Sequence, residues 1–77
     1  MHYEYNIYPK YNREKFDETI KIIKANICNI KEMKYIEDTL DGNQLQTIVV
    51  QDGIVTVKND FMVGAVWVES EIELNFL

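Results

Sequence analysis

This sequence predicts an α+β fold in which one amphipathic helix packs on a mainly antiparallel sheet of four to six strands, in the order β-α-β-β-β-β. Three observations carry that expectation. A single isoleucine-rich stripe with helical spacing occupies residues 16–30. The chain around it alternates apolar and polar residues with a period of two. An Asp52-Gly53 dipeptide stands between two β-branched runs. All 77 residues are read as one domain, because a chain of this length supports a single core.

The first strand is read over residues 2–8. Tyr3, Tyr5 and Ile7 fall on one side, with His2, Glu4, Asn6 and Tyr8 on the other, and Pro9, which has no backbone N–H to donate, ends it. Asn12 stands in the N-cap position of the helix. Phe16, Ile20, Ile23, Ile27 and Ile30 then recur at spacings of four, three, four and three, a stripe that no strand could present on one face. Acidic Glu14, Asp17 and Glu18 near the start and Lys21, Lys24 and Lys31 near the end complement the helix dipole. The pattern carries the helix to Ile30 or Lys31.

Beyond the helix, residues 33–39 read as a strand and Asp41-Gly42-Asn43 as a turn. The stretch LQTIVVQDGIVTVK, residues 45–58, reads as a hairpin. With Asp52-Gly53 as a type I′ loop, Gln51 would face Ile54, Val50 would face Val55, Val49 would face Thr56 and Ile48 would face Val57. Ile48, Val50, Val55 and Val57 then share a core face. Asn59-Asp60 is read as a second tight turn into a strand over residues 61–68, with Gly64 marking a bulge or a close approach to the helix.

The last twelve residues, VWVESEIELNFL, place Glu69, Glu71 and Glu73 two apart. In a continuous strand these point one way with Trp67 and Asn75, while Val68, Ser70, Ile72, Leu74 and Phe76 point the other. Carboxylates at that interval stand about 6.5–7 Å apart, close to the roughly 6–7 Å between successive phosphates on a nucleic-acid strand. The comb therefore reads either as the wet face of a strand or as an imitation of a phosphate backbone. A turn at Glu69-Ser70 would remove Glu69 from the row.

Composition excludes more than it assigns. Thirteen acidic and eight basic residues give a net charge of −5, which repels nucleic acid and anionic membrane and attracts basic partners. Cys28 has no second cysteine to pair with, and one cysteine with one histidine cannot build a structural zinc site, so no disulfide, metal or other cofactor is expected. No phosphate-binding glycine loop occurs, and Ser70 and His2 make a poor nucleophile and base, so an enzyme is not expected. No apolar run is long enough to span a bilayer and no leader-like start is present, so a cytoplasmic location is expected.

Two features remain for binding. Tyr8 and Tyr11 flank Pro9, off the inward face, and suit the rigid aromatic anchors of an interface. Trp67 with Glu69, Glu71 and Glu73 suits a partner protein with a basic surface, such as a nucleic-acid-processing enzyme. Size, acidity, an AT-rich codon bias and the lack of catalytic groups resemble the small inhibitors of phages and mobile elements, including anti-CRISPR proteins, and the immunity proteins of toxin systems. What that resemblance implies is a stoichiometric inhibitor that acts sterically or by phosphate mimicry. The alternative is an accessory module that homodimerises through an open sheet edge.

Overall fold

The computed structural model describes residues 2–77. The elements follow as β1 (Tyr3–Tyr8), α1 (Arg13–Asn26), β2 (Ile30–Glu37), β3 (Gln44–Val50), β4 (Gly53–Asp60) and β5 (Ala65–Ser70). The five strands form one antiparallel sheet in the order β1-β5-β4-β3-β2. This is the predicted α+β class and element order, with five strands. One helix packs on one face of the sheet, over β4 and β1, and among the described residues the other face carries no element. Among the described residues no helix is long and apolar enough to cross a membrane.

Asn12 caps α1 as expected: its backbone is extended, and its side-chain oxygen accepts the Lys15 amide at 2.9 Å. The helix ends earlier than the stripe suggests. Ile27 is already extended, at φ −117° and ψ 118°, and Ile30 opens β2. Asn26, Ile27, Cys28 and Asn29 are weak helix formers in succession, so nothing local sustains the last turn. Ile27 and Ile30 still pack against the core, which is why the apolar periodicity outlasts the helix.

Phe16 and Ile23 from α1 meet Ile48, Val50, Val55, Val57, Val66, Val68 and Leu74 in the core. Ile48, Val50, Val55 and Val57 are thus the core face predicted, but their pairing differs. Gln51 and Asp52 form the loop, Val50 faces Gly53 and Ile48 faces Val55, a shift of two from the type I′ register. A shift of two preserves parity, so every side chain keeps its face. Gly53 is needed for a different reason than the loop: a Cβ there would stand 2.8 Å from the Glu71 Cβ. The chain after β5 crosses at that point, where the Glu71 amide donates to the Ile54 carbonyl at 3.0 Å.

Asn59-Asp60 is not a turn. β4 runs through Asp60, and Asn59 is a buried strand residue, 1% exposed. Its Nδ2 donates to Gln44 Oε1 at 2.9 Å, and its Oδ1 accepts the Asn12 amide at 3.0 Å. Two tertiary bonds hold this asparagine in the strand against its local preference for turns. The reversal lies instead at residues 61–64. Gly64 there has φ 72°, and a Cβ at this position would meet nothing within 4 Å, so the glycine serves turn geometry and neither a bulge nor a close approach.

Bulges fall instead in β1, between Asn6 and Tyr8, and in β2, between Ile30 and Glu32; the first bears on the site. It brings Tyr8 opposite Val66 on the core side, so Tyr8 packs against the core where strict alternation had placed it outside.

Candidate functional site

The uncovered face of the sheet carries the residues whose parity opposes the core. One rung crosses all five strands: Ile36 on β2, Leu45 on β3, Lys58 on β4, Trp67 on β5 and Asn6 on β1. The next rung runs Lys34, Thr47, Thr56, Glu69 and Glu4. Where the two rungs meet, Lys58, Trp67 and Glu69 close on one another. Lys58 Nζ stands 2.8 Å from Glu69 Oε2 and 5.8 Å from the Trp67 ring centroid, and Trp67 Nε1 donates to the same carboxylate oxygen at 2.8 Å. The bond from Lys58 and then that from Trp67 hold the Glu69 carboxyl below its ordinary range. Glu69 is thus a fixed charge that orients the indole across the sheet.

At one end of the face two reversals project, and they are built alike. Residues 38–42, DTLDG, and residues 60–64, DFMVG, each begin with an aspartate and end with a glycine at φ 72°. In each, the glycine amide donates to the aspartate carbonyl, at 2.7 Å for Gly42 and 2.8 Å for Gly64. Each aspartate also accepts a loop amide on its side chain, Leu40 to Asp38 at 2.8 Å and Val63 to Asp60 at 2.9 Å. Asn43 joins the pair, accepting the Phe61 amide on its Oδ1 and the Asp38 amide on its carbonyl. Tyr11 braces both: its hydroxyl donates to the Gly42 carbonyl at 2.6 Å, and its ring meets Phe61 edge-on at 5.6 Å.

The chain of side-chain bonds continues inward from this end. Arg13 donates to Tyr11 and to Glu37, Tyr35 donates to Glu37, and Gln44 donates to Tyr35 and accepts from Asn59. The Tyr35 hydroxyl and then Arg13 hold the Glu37 carboxyl below its ordinary range. Burial, with the bond to Glu37, pushes the Tyr35 hydroxyl up.

On this scaffold the apolar tips stand free: Leu40 is 93% exposed, Met62 80%, Val63 66% and Phe61 60%. Beside them a hollow of about 380 Å³ opens on the uncovered face, lined by Ile36, Leu45, Lys58, Val63 and Trp67, with Asp38 and Asp60 among its polar groups.

The predicted site residues separate. Trp67 and Glu69 lie together on the open face. Glu71 borders the other end of that face with His2, Ile54, Thr56 and Glu69, but its carboxylate is engaged by the Ile54 amide at 2.8 Å. Glu73 lies past a bend and is exposed. The comb is therefore neither a continuous strand nor a hairpin. β5 stops at Ser70, whose hydroxyl donates to the Ile72 carbonyl at 2.6 Å and accepts the Ile72 amide at 3.1 Å, bonds that turn the chain. Leu74 is then buried, and its amide donates to the Tyr5 hydroxyl at 2.7 Å. Tyr8 is a core-side residue under Lys15, whose Nζ stands 5.7 Å from the ring centroid, and Tyr11 is a brace. Sequence reasoning missed Leu40, Phe61, Met62 and Val63. Their signal was the repeated Asp-x-x-x-Gly spacing around apolar residues in a turn, where polar ones are usual.

Among the described residues no group of three His, Cys, Asp or Glu is arranged to hold a metal ion. Comparison with protein-family models, curated proteins and solved structures finds no match to this chain.

Proposed function

We propose that this chain is a protein-binding module that acts by occupying its partner, as a stoichiometric inhibitor does, with the open sheet face and the twin turns as its binding surface. The observation that carries the reading is the cluster of apolar tips, Leu40, Phe61, Met62 and Val63, held rigid beside the Trp67 hollow. Interfaces draw their affinity from a few such side chains around a desolvated centre. Six carboxylates, Glu4, Glu32, Asp38, Asp60, Glu69 and Glu71, lie on or around this face with two lysines, Lys34 and Lys58. That balance, with the net charge of −5, favours a partner whose contact surface combines an apolar side chain with flanking Lys or Arg.

A basic nucleic-acid-processing enzyme meets that description, and blocking it would be steric. The phosphate-mimetic form loses its footing because Glu69, Glu71 and Glu73 do not form a row. The test is affinity capture from source cells with the native chain, a Leu40→Glu/Met62→Glu variant and a Glu73→Lys variant, each checked for folding by circular dichroism. A partner held by the native chain and by Glu73→Lys, and lost from the Leu40/Met62 variant, supports the reading. A partner retained by the Leu40/Met62 variant refutes it.

A further inference from the structure

We infer that the outer edge of β2 is a self-docking edge, through which two copies of this chain pair antiparallel about a two-fold axis at Met33 and join their sheets into one. β2 ends the sheet and pairs only with β3, so its far side faces no other strand of the described chain. Residues 31–37 are exposed. The helix reaches this strand through Phe16 against Tyr35 and through the Arg13–Glu37 pair, both toward its end, and neither covers the edge. An edge of this length is a template for a further strand unless its side chains forbid the match.

Symmetry and charge together choose the register. In an antiparallel pair, opposed residues share a face of the sheet, so a two-fold axis normal to it must pass through a residue position. An axis at Glu32 opposes two glutamates, and one at Lys34 opposes two lysines, both unfavourable. An axis at Tyr35 sets Lys34 against Ile36 and Met33 against Glu37, leaving both charges without an opposite. An axis at Met33 sets the methionines together and places Glu32 against Lys34 on both sides of it. Glu32 and Lys34 lie on the open face by their pairing with Val49 and Thr47, so both ion pairs form there. The bulge between Ile30 and Glu32 bounds the regular stretch, so residues 32–34 of each copy form the centre of the match. The same lysine that discourages promiscuous edge pairing thus specifies one mate, a second copy.

Sedimentation equilibrium of the purified chain from micromolar to millimolar concentration tests this. The native chain is expected to form dimers. Glu32→Lys and Lys34→Glu, each placing like charges opposite twice, are expected to weaken self-association by about tenfold. The double variant Glu32→Lys/Lys34→Glu restores opposite charges and is expected to recover it to within about threefold. A chain monomeric throughout overturns the inference. So does association that the single reversals leave unchanged, or that the double reversal fails to recover.

Discussion

Asn59 shows how much one side chain decides. It is buried in β4 and satisfies two groups from distant parts of the chain, the Asn12 amide at the start of the helix and the Gln44 side-chain oxygen Oε1 on β3. Removing it leaves both without their partner in a water-poor site, so Asn59→Ala is expected to cost about 2 kcal/mol by urea unfolding. Asn12 was legible in the sequence because a cap bonds its own neighbours. Asn59 was not, because its partners lie 47 and 15 residues away and the local signal, Asn next to Asp, argues for a turn. Glu69 makes a second prediction at this scale. Its folded-state carboxyl is held below the ordinary value of 4.5, so the stability it contributes is present above that value and is lost as pH falls through the folded value. Glu69→Gln is therefore expected to be less stable than the native chain at neutral pH, by up to about 1 kcal/mol. In thermal melts the difference should narrow as the pH is lowered below the ordinary carboxylate range.

Among the elements, the segment after β5 separates what alternation encodes from what it does not. The sequence pattern put Ile72, Leu74 and Phe76 on the inward side, and they do pack inward, with Glu71, Glu73 and Asn75 exposed. Alternation reports burial, and a segment can meet that demand without a strand to pair with. Here the Ser70 hydroxyl supplies the bend and Tyr5 receives the segment. Leu74→Ala is expected to destabilise by about 2–4 kcal/mol, as a core leucine does, whereas Glu73→Lys should change stability by less than about 0.5 kcal/mol. Chemical denaturation of the pair measures both. The hairpin teaches the same lesson from the other side. Its core face was readable from parity, but the register was not, and neither was the crossing of Glu71 at Gly53, a contact that no local pattern announces. The apolar stripe overshoots the end of α1 because its last members continue to pack after helical geometry has stopped.

At the scale of the whole molecule, a single helix can cover one face of a five-stranded sheet, and the other is left open. That much follows from counting elements in the sequence. The character of the open face does not, because Ile36, Leu45, Lys58 and Trp67 become neighbours only through the strand registers. Nor does the rigid end, where Tyr11 and Asn43 tie together two turns distant in sequence and so hold four apolar side chains in water. Exposing them costs solubility, a cost that a partner would relieve. The proposed binding surface is accordingly the twin turns and the Trp67 hollow, away from the terminal glutamates. The most direct measurement is photo-cross-linking in source cells with a benzophenone amino acid at position 62 in one variant and at position 73 in another. Covalent adducts from position 62 and none from position 73 are the expected result. Adducts from position 73 with none from position 62 would contradict it.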